Sequence, residues 1–323
     1  MTSGKIYVNP PTAAPLKAER AGRLDAIGYP VEWNDLGRLL TEEEVIERAG
    51  DAVALVAGAE PITRQVLGAA PNLKIVAKFG VGYDNIDVDA ARDAGVAVAL
   101  ATGGNTESVA DYTFAMILSL CCDLQRNDQV VKSGQWTRAA YPGLWGRTLG
   151  IVGFGPIGAA VGRRAAGFGL HVLACDPLFD PAAPPANADE IVPLEELLSR
   201  SDVVSLHVPL TGNRALIDEQ AIARMKPGAV LVNAARGGLV DETALLEALR
   251  QGRLRGAGLD VFECEPTQRA QEFAALNVVT APHIAGSSEV ALVNSLDICA
   301  EAIEAAFFGR PARARFIVEL PSP

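Results

Sequence analysis

Three ionisable residues follow three separate apolar runs in the second half of the chain. Arg236 comes after VLVNAA, Glu265 comes after GLDVFEC, and His283 comes after VVTAP. Each run has the composition of a buried strand, and the carboxyl ends of parallel strands lie at one edge of a sheet, where open α/β sheets bind their ligands. We therefore expect the three side chains to lie close together.

These residue types suit acid–base chemistry on a small anion that carries a hydroxyl or carbonyl group. Imidazole titrates near neutral pH, so His283 can take up and return a hydroxyl proton. A neighbouring carboxylate, Glu265, favours the imidazolium form and fixes the orientation of the ring. Arg236 can bind a substrate carboxylate through two parallel hydrogen bonds and polarise a carbonyl oxygen. Taken singly, the three could instead be a turn arginine, a solvated loop acid and a hydrogen-bonded histidine at a strand end.

The stretch from 149 to 176 has the pattern of a dinucleotide-binding βαβ unit. An apolar strand leads into Gly153, Gly155 and Gly158 in G-x-G-x-x-G spacing, and a helix-length run, the strand HVLAC and Asp176 follow. The first glycine makes a tight turn, the second admits a pyrophosphate against the backbone, and the third lets helix and strand pack closely. The anion would lie at the helix N-terminus. Asp176 would accept hydrogen bonds from a ribose diol and repel a 2′-phosphate, so NAD is predicted over NADP.

The composition excludes several classes of protein. The 323 residues, 49% of them hydrophobic, are enough for two domains, and the net charge of −11 disfavours nucleic-acid and anionic membrane surfaces. No stretch approaches the roughly 18 uninterrupted apolar residues of a membrane span, and the first ten residues do not resemble a signal peptide. Five irregularly placed cysteines predict reduced thiols and a cytoplasmic location. None of the three histidines has neighbours at metal-ligand spacing, so we expect no metal site.

Strand and helix patterns alternate along the chain, which predicts an α/β fold with two doubly wound, mostly parallel sheets. The first unit is expected to end near Ala101, and the second to contain the glycine motif. A helix is predicted after a capping box formed by Thr41 and Glu44. A last helix over about Glu289–Phe308 is expected before a short tail.

Seven segments occur in a fixed order: KFGVGYDNID, NTESVADYT, GFGPIG…CDP, SLHVPLT, NAARGGLVDE, GAGLDVFECEP and APHIAG. Together they resemble the D-isomer-specific 2-hydroxyacid dehydrogenases over nearly the whole chain. The resemblance implies a Rossmann NAD-binding domain, residues 102–286, inserted in a flavodoxin-like substrate-binding domain made of residues 1–101 and 287–323. It also implies a homodimer, NAD as cofactor, and a small anionic 2-hydroxy or 2-keto acid as substrate.

The resemblance assigns roles to the residues at matching positions. It implies that Arg236, Glu265 and His283 are catalytic, and that the backbone near Val81 and Gly82 holds the substrate carboxylate, with Arg236 as a further substrate contact. The residues expected to contact NAD come from the strand ends of the second unit and are Gly153, Gly155, Pro156, Ile157, Gly158, Asp176, His207, Pro209, Thr211, Ala234, Arg236, Asp260 and His283.

Within the family, the chain is most similar to the phosphoglycerate dehydrogenase and hydroxypyruvate or glyoxylate reductase branches. Phosphoglycerate enzymes carry an arginine after the third strand, where this chain has Ala57 and Gly58. Lys78 or Arg138 would have to supply the missing charge. The sequence leaves the substrate's side chain, its phosphorylation and the physiological direction open.

Two other functions fit part of the pattern. Some relatives use this fold as an NAD(H)-sensing transcriptional corepressor, and the complete set of Arg236, Glu265 and His283 argues against such a scaffold. A dehydrogenase of formate or phosphite would keep the cofactor and change the donor, and these residues do not exclude it.

Overall fold

The computed structural model describes residues 4–212 and 214–319. The chain divides into two α/β units: unit 1 consists of residues 1–105 and 287–323, and unit 2 consists of residues 106–286. The sequence predicted the first boundary between 101 and 102. Gly104 belongs to unit 1 because it packs on the last helix, where an added Cβ would lie 3.1 Å from Ser295 Cα.

The first part of unit 1 alternates strands and helices, as predicted. A 3-10 turn over Pro11–Leu16 connects β1 to the first α-helix. The elements are β1 (Lys5–Val8), α1 (Lys17–Asp25), β2 (Val31–Trp33), α2 (Glu42–Ala49), β3 (Ala52–Ala57), α3 (Arg64–Ala69), β4 (Ile75–Lys78), α4 (Val88–Asp93) and β5 (Ala97–Leu100). The predicted capping box begins α2, with the Thr41 side chain accepting from the Glu44 N–H and Glu44 accepting from the Thr41 N–H.

Unit 2 also alternates strands and helices over most of its length. Its elements are α5 (Thr106–Cys121), α6 (Leu124–Lys132), β6 (Thr148–Val152), α7 (Pro156–Gly167), β7 (His171–Cys175), β8 (Glu190–Ile191), α8 (Leu194–Arg200), β9 (Val203–Leu206), α9 (Glu219–Arg224), β10 (Ala229–Asn233), α10 (Glu242–Arg250), β11 (Leu254–Leu259), α11 (Ala270–Ala274) and β12 (Val278–Thr280). The chain then returns to unit 1 as α12 (Glu289–Phe308) and β13 (Arg315–Val318).

The sheet of unit 1 has the strand order β13-β5-β4-β3-β1-β2. Strands β1 to β5 are parallel and lie side by side in the order β2-β1-β3-β4-β5, which is the order of flavodoxin-like folds. Every residue of β3, β4 and β5 is buried, as expected for strands covered on both faces. The antiparallel edge strand β13 was predicted only as a tail, because its four residues pair with β5 from far upstream.

The sheet of unit 2 is parallel throughout, in the order β12-β11-β10-β9-β6-β7-β8. If β6 is counted as strand 1 and the sheet is followed from β8 to β12, the strand order is 3-2-1-4-5-6-7. The first six strands have the order of dinucleotide-binding folds, and β12 is an additional edge strand. The carboxyl ends of β6, β9, β10, β11 and β12 therefore lie side by side. Gly153, His207, Ala234, Asp260 and His283 follow these five strands at that edge.

Candidate active site

The glycine motif forms a tight turn between β6 and α7. Gly153 has φ +88°, and an added Cβ at Gly158 would lie 2.1 Å from the Gly153 carbonyl oxygen. Side chains are therefore excluded at both positions by the protein's own packing. An added Cβ at Gly155 would meet no atom within 4 Å. The exposed Gly155 backbone thus leaves space that the protein itself does not fill.

The N-terminus of α7 has the properties of an anion-binding site. Gly155 is the N-cap residue, no side chain caps the helix, and Pro156 is its first residue. The N–H groups of the first turn, including that of Ile157, have no partner within the helix. They lie at the positive end of a 12-residue helix. Together with the open space at Gly155, this arrangement fits the pyrophosphate of a dinucleotide.

Asp176 lies directly after β7 and faces the glycine turn. Its Oδ2 accepts the Phe154 N–H at 2.8 Å, and its Oδ1 accepts the Leu178 N–H at 3.0 Å. These bonds hold the carboxylate beside the turn while the side chain remains partly exposed. Each oxygen has a second lone pair, so Asp176 can still accept hydroxyl groups of a ribose.

His207 follows β9 and packs against the same turn. An added Cβ at Gly153 would lie 2.6 Å from the His207 carbonyl oxygen. The His207 Nε2 atom lies 2.8 Å from the Ser205 hydroxyl oxygen. Burial lowers the pKa of His207 to about 4, so the ring is neutral near pH 7. It can line a cofactor site but is a poor proton acceptor.

Three further residues expected at the cofactor lie at the same edge of the unit 2 sheet. Pro209 and Thr211 belong to the exposed segment that follows β9, and Ala234 is the partly exposed residue after β10. None of the three has an ionisable side chain. They could contribute surface and backbone groups to a bound dinucleotide.

His283 and Glu265 form a direct pair in unit 2. His283 Nδ1 lies 2.8 Å from Glu265 Oε2, and Glu265 Oε1 accepts the Phe262 N–H at 3.1 Å. Burial acts to raise the pKa of Glu265, but the hydrogen bond and charge of His283, the Phe262 amide and the Arg236 guanidinium together lower it. The carboxylate is therefore charged at neutral pH. Both side chains remain accessible, with exposed fractions of 49% for His283 and 39% for Glu265.

Arg236 lies in the turn after β10 and contributes positive charge to the same place. The Asn233 side chain shapes this turn, because Nδ2 donates to the Arg236 carbonyl and Oδ1 accepts the Ala235 N–H. The neighbouring Gly237 lies against the Glu265 loop, where an added Cβ would be 1.9 Å from the Phe262 carbonyl oxygen. Arg236 thus lies next to a glycine that packs on the Glu265 loop, and its guanidinium helps to lower the pKa of Glu265. The three residues expected to be catalytic follow neighbouring strands at one edge of the sheet.

Asp260 and Ser108 lie behind His283. The Asp260 carboxylate is 1% exposed and accepts two backbone N–H groups, from Ile284 and Ala285. Ser108 donates its hydroxyl to the Ala285 carbonyl at 2.7 Å. The sequence predicts Asp260 only as a cofactor contact and predicts no role for Ser108. A serine in the first turn of a helix gave no signal that its partner lies 177 positions away.

Val81 and Gly82 lie in the loop after β4, in unit 1, and both are partly exposed. Below this loop, Lys78 is 7% exposed and its ammonium donates to the Gly58 carbonyl and to Asn85 Oδ1. The Lys78 ammonium is thus bonded inside unit 1.

The buried acid Glu60 lies at the same end of unit 1's sheet. It is 1% exposed, and its Oε1 accepts the Gly58 N–H at 2.6 Å. Burial raises the pKa of Glu60. The sequence predicts no role for Glu60, because one acid in a loop carries no pattern. Arg138, the other cation considered there, is exposed and belongs to unit 2.

Several other features bear on the kind of site. All five cysteines are free. In the part of the chain that the structure describes, no group of three or more histidine, cysteine or acidic side chains could hold a metal ion. Among the helices of residues 4–212 and 214–319, none is long and apolar enough to cross a membrane.

Comparison with known proteins identifies relatives for most of the chain. Residues 114–285 match the family model of the D-isomer specific 2-hydroxyacid dehydrogenase NAD binding domain. A glyoxylate reductase of Korarchaeum cryptofilum is 44% identical over 270 residues, which cover 81% of both chains. A D-3-phosphoglycerate dehydrogenase of Mycobacterium leprae is 43% identical over 258 residues. That alignment covers 79% of this chain and 49% of the relative, so the chain spans about half the length of that enzyme.

Solved structures agree with the family model. The D-lactate dehydrogenase of Aquifex aeolicus, solved with NAD and lactic acid, superposes with a TM-score of 0.82 at 28% identity, covering 95% of this chain and 96% of that one. The predicted α/β fold with two domains, one of them a Rossmann domain, is confirmed. The chain belongs to the D-isomer-specific 2-hydroxyacid dehydrogenase family.

Proposed function

We propose that this protein is an NAD-dependent oxidoreductase that interconverts a small, unphosphorylated D-2-hydroxy acid and its 2-keto acid. The observation that carries the proposal is the His283–Glu265 pair, with 2.8 Å between Nδ1 and Oε2. It lies at the same edge of the unit 2 sheet as the anion-binding turn at Gly155. A dinucleotide site and an acid–base pair at one edge are the two parts that such a reaction needs.

The chemistry divides between the cofactor and the protein. When bound, NAD or NADH accepts or supplies the hydride. His283 donates Nδ1–H to Glu265, which leaves Nε2 to give a proton to the keto oxygen or to take one from the hydroxyl group. Glu265, charged at neutral pH, stabilises the imidazolium form and fixes the ring. Arg236 binds the substrate carboxylate and polarises the keto oxygen.

The surroundings of β3 and β4 support an unphosphorylated substrate. A phosphate group is normally bound by several charge-assisted donors. After β3 the chain has Ala57, which is buried, and Gly58, whose N–H donates to Glu60. The nearby Lys78 ammonium is bonded to the Gly58 carbonyl and to Asn85.

We also assign a carboxylate-binding role to the backbone of Val81 and Gly82 in unit 1. Gly80, directly before them, has φ +138° and donates its N–H to the Lys78 carbonyl. This geometry turns the chain sharply after β4. It leaves the partly exposed Val81 and Gly82 backbone available to donate hydrogen bonds to a carboxylate.

A homodimer is supported by an exposed apolar segment of unit 2. Helix α6 has no buried residue, and Trp136 and Trp145 after it are 77% and 88% exposed. Exposed tryptophans are enriched at protein interfaces. We assign the segment from α6 to Trp145 to contact with a second copy of the chain. In analytical ultracentrifugation, Trp136→Arg should shift the dimer toward the monomer, while the equally apolar and exposed Leu178, changed to Arg, should not.

A cytoplasmic location is supported by the thiols. The five cysteines are free, and burial raises the pKa of Cys121 to about 11 and also raises that of Cys299. Such buried thiols pack as small apolar side chains and are unreactive. A chain of this kind needs no oxidising compartment.

The decisive experiment is a panel of 2-keto acids followed by NADH absorbance. Glyoxylate, hydroxypyruvate and pyruvate are compared with 3-phosphohydroxypyruvate, and formate and phosphite are tested as donors to NAD. We expect turnover of an unphosphorylated keto acid and a loss of kcat on the order of 10²–10⁴ in His283→Ala. NADH binding by that variant should be preserved.

Other outcomes contradict the proposal in different ways. A preference for 3-phosphohydroxypyruvate would overturn the substrate class but keep the reaction. Turnover of formate or phosphite alone would change the donor. NADH binding without turnover of any compound would favour a cofactor-sensing scaffold, and near wild-type turnover by His283→Ala would remove the assigned base.

A further inference from the structure

We infer that Lys78 and Asn85 are positioning residues, which hold the backbone between them in the shape that binds the substrate carboxylate. This role rests on the proposed function, in which Val81 and Gly82 bind a carboxylate. We call residues 79–84 the carboxylate loop. Lys78 is the last residue of β4 and Asn85 follows the loop, so the two residues flank it.

The carboxylate loop presents consecutive amides that the protein itself does not use. Across the described residues, 4–212 and 214–319, the N–H groups of Val81, Gly82 and Tyr83 donate to no protein atom. The N–H of Gly80, directly before them, is bonded to the Lys78 carbonyl at 2.9 Å. Val81 and Gly82 are partly exposed, and Tyr83 is exposed. Successive free amides in a turn make a concave site for an anion, and such a site depends on the shape of the loop.

The side chains of Lys78 and Asn85 meet across the base of this loop. The Lys78 ammonium donates to Asn85 Oδ1 at 3.2 Å and also to the Gly58 carbonyl. Asn85 Nδ2 donates to the same Gly58 carbonyl at 3.1 Å and to the Glu60 carbonyl at 2.6 Å. We call these bonds of Lys78 and Asn85 the clasp. They bind the two ends of the carboxylate loop to each other and to one turn.

The turn at residues 58–60 is a firm anchor for the clasp. Glu60 is 1% exposed, and its Oε1 accepts the Gly58 N–H at 2.6 Å. An added Cβ at Gly58 would lie 2.8 Å from Glu60 Oε2 and 3.3 Å from Pro10 Cγ, so the turn is closely packed. A bond from a buried ammonium to such a carbonyl is stronger than a neutral one. The clasp therefore fixes the distance between the ends of the loop and the direction of its free amides.

Lys78→Met tests the inference, because it removes the ammonium and keeps the length of the side chain. Burial raises the pKa of Glu60, and the charge of Lys78 acts against that rise. The acid can therefore take up a proton when the ammonium is lost, and we expect the variant to fold. The carboxylate loop should then lose its shape. The KM for the keto acid should rise by about tenfold, the cost of one hydrogen bond to a charged group.

The value of kcat should change little in Lys78→Met. The substrate carboxylate takes no part in the bond changes, so its binding is equal in the ground state and the transition state. Lys74→Met is the matched control. Lys74 directly precedes the same strand, β4, and its ammonium lies 4.8 Å from the centre of the Phe307 ring. This variant should leave both KM and kcat unchanged, and a rise in KM equal to that of Lys78→Met would overturn the inference.

Asn85→Ala tests the other half of the clasp. Asn85 is partly exposed, so this variant should fold even where Lys78→Met does not. We expect a similar rise in KM, and the double variant should be no worse than the more impaired single one, because both substitutions break the same clasp. An unchanged KM in Asn85→Ala beside a raised KM in Lys78→Met would show that the ammonium contacts the substrate itself. That result, or effects that multiply in the double variant, would overturn the inference.

A measurement without turnover separates this inference from the proposed function. Oxalate serves as the probe, and the amide signals of Val81 and Gly82 are followed by NMR in isotope-labelled protein. Oxalate should shift both signals in the wild type and in Lys74→Met, and should bind about tenfold more weakly in Lys78→Met and Asn85→Ala. If the wild type reduces no keto acid, the proposed function fails, and these titrations still decide the role of the clasp. If oxalate shifts neither signal in the wild type, or binds all the variants equally, the inference is wrong even where keto acids are reduced.

Discussion

The Nδ1 atom of His283 lies 2.8 Å from Oε2 of Glu265, although the two residues follow different strands. Strands β11 and β12 are parallel neighbours, with Leu259 paired to Thr280. The two segments that follow these strands therefore begin next to each other. The Glu265 loop then turns back so that the Phe262 N–H also binds this carboxylate. The result is an oriented imidazole at the edge of the sheet.

Replacing Glu265 by glutamine should impair reduction and change its pH dependence. The pKa of Glu265 is lowered, so its charge, and the stabilisation that it gives to an imidazolium, is present at neutral pH and is lost only as the pH falls through that low value. Gln cannot supply this charge at any pH, so it should also remove the acid-side dependence that comes from protonation of Glu265. We expect kcat near pH 7 to fall by about 10–10²-fold, and a kcat–pH profile measures both effects. Glu263→Gln is the control, since Glu263 accepts the Glu242 N–H instead.

The convergence of Arg236, Glu265 and His283 could be predicted because strand order in a parallel sheet determines which ends are neighbours. The atom-to-atom pairing could not. It depends on the positive φ of His283, which the sequence gives no reason to expect at a non-glycine residue. It also depends on contacts such as that of Ser108 with Ala285, between residues that no local pattern connects.

Lys78 illustrates the same limit in unit 1. From the sequence it was a possible cation for a phosphate group. In the structure its ammonium points toward the Gly58 carbonyl and Asn85, because the last residue of β4 lies opposite Ala57 of β3 and is covered by the connection that follows β3. The pairing register of β3 with β4 and the direction of the Lys78 side chain determine the partners of its ammonium. Neither can be derived from the residue type.

Alanine at the glycines around α7 should separate cofactor binding from folding. At Gly155 a Cβ meets no protein atom, so Gly155→Ala should fold normally and weaken NADH binding by occupying the space assigned to the pyrophosphate. At Gly158 a Cβ would lie 2.1 Å from the Gly153 carbonyl oxygen, so Gly158→Ala should lower the free energy of unfolding. By analogy with overpacked cores, we expect about 1–3 kcal/mol.

Gly167→Ala, in the same helix and with no atom within 4 Å of its Cβ, is the control and should affect neither property. Thermal unfolding and NADH fluorescence titration measure the two effects separately. Unchanged NADH affinity in Gly155→Ala would show that the pyrophosphate does not approach this backbone.

Asp176→Ala should relax the preference for NAD over NADP. The carboxylate that would accept the ribose hydroxyls and repel a 2′-phosphate is removed, so the ratio of kcat/KM for the two cofactors should move toward one. The Phe154 N–H also loses its acceptor at 2.8 Å. Where water does not replace that acceptor, the free energy of unfolding should fall by about 1–3 kcal/mol. The comparison uses NADH and NADPH with one keto acid. A wild-type protein that favours NADPH would contradict the role given to Asp176.

His207 should make the folded state less stable in mild acid. Burial lowers its pKa to about 4, whereas the unfolded chain binds the proton near pH 6.5. Between these values the unfolded state binds more protons, so the free energy of unfolding should rise with pH from about 4 to 6.5 and then level off. The effect is at most about 3 kcal/mol. His207→Gln, which cannot titrate, should flatten this rise in urea unfolding measured across the window. His171→Gln changes an exposed histidine beside Glu190 and is the control, which should keep the increase of the free energy of unfolding with pH. If both variants flatten that increase equally, desolvation of His207 is not its cause.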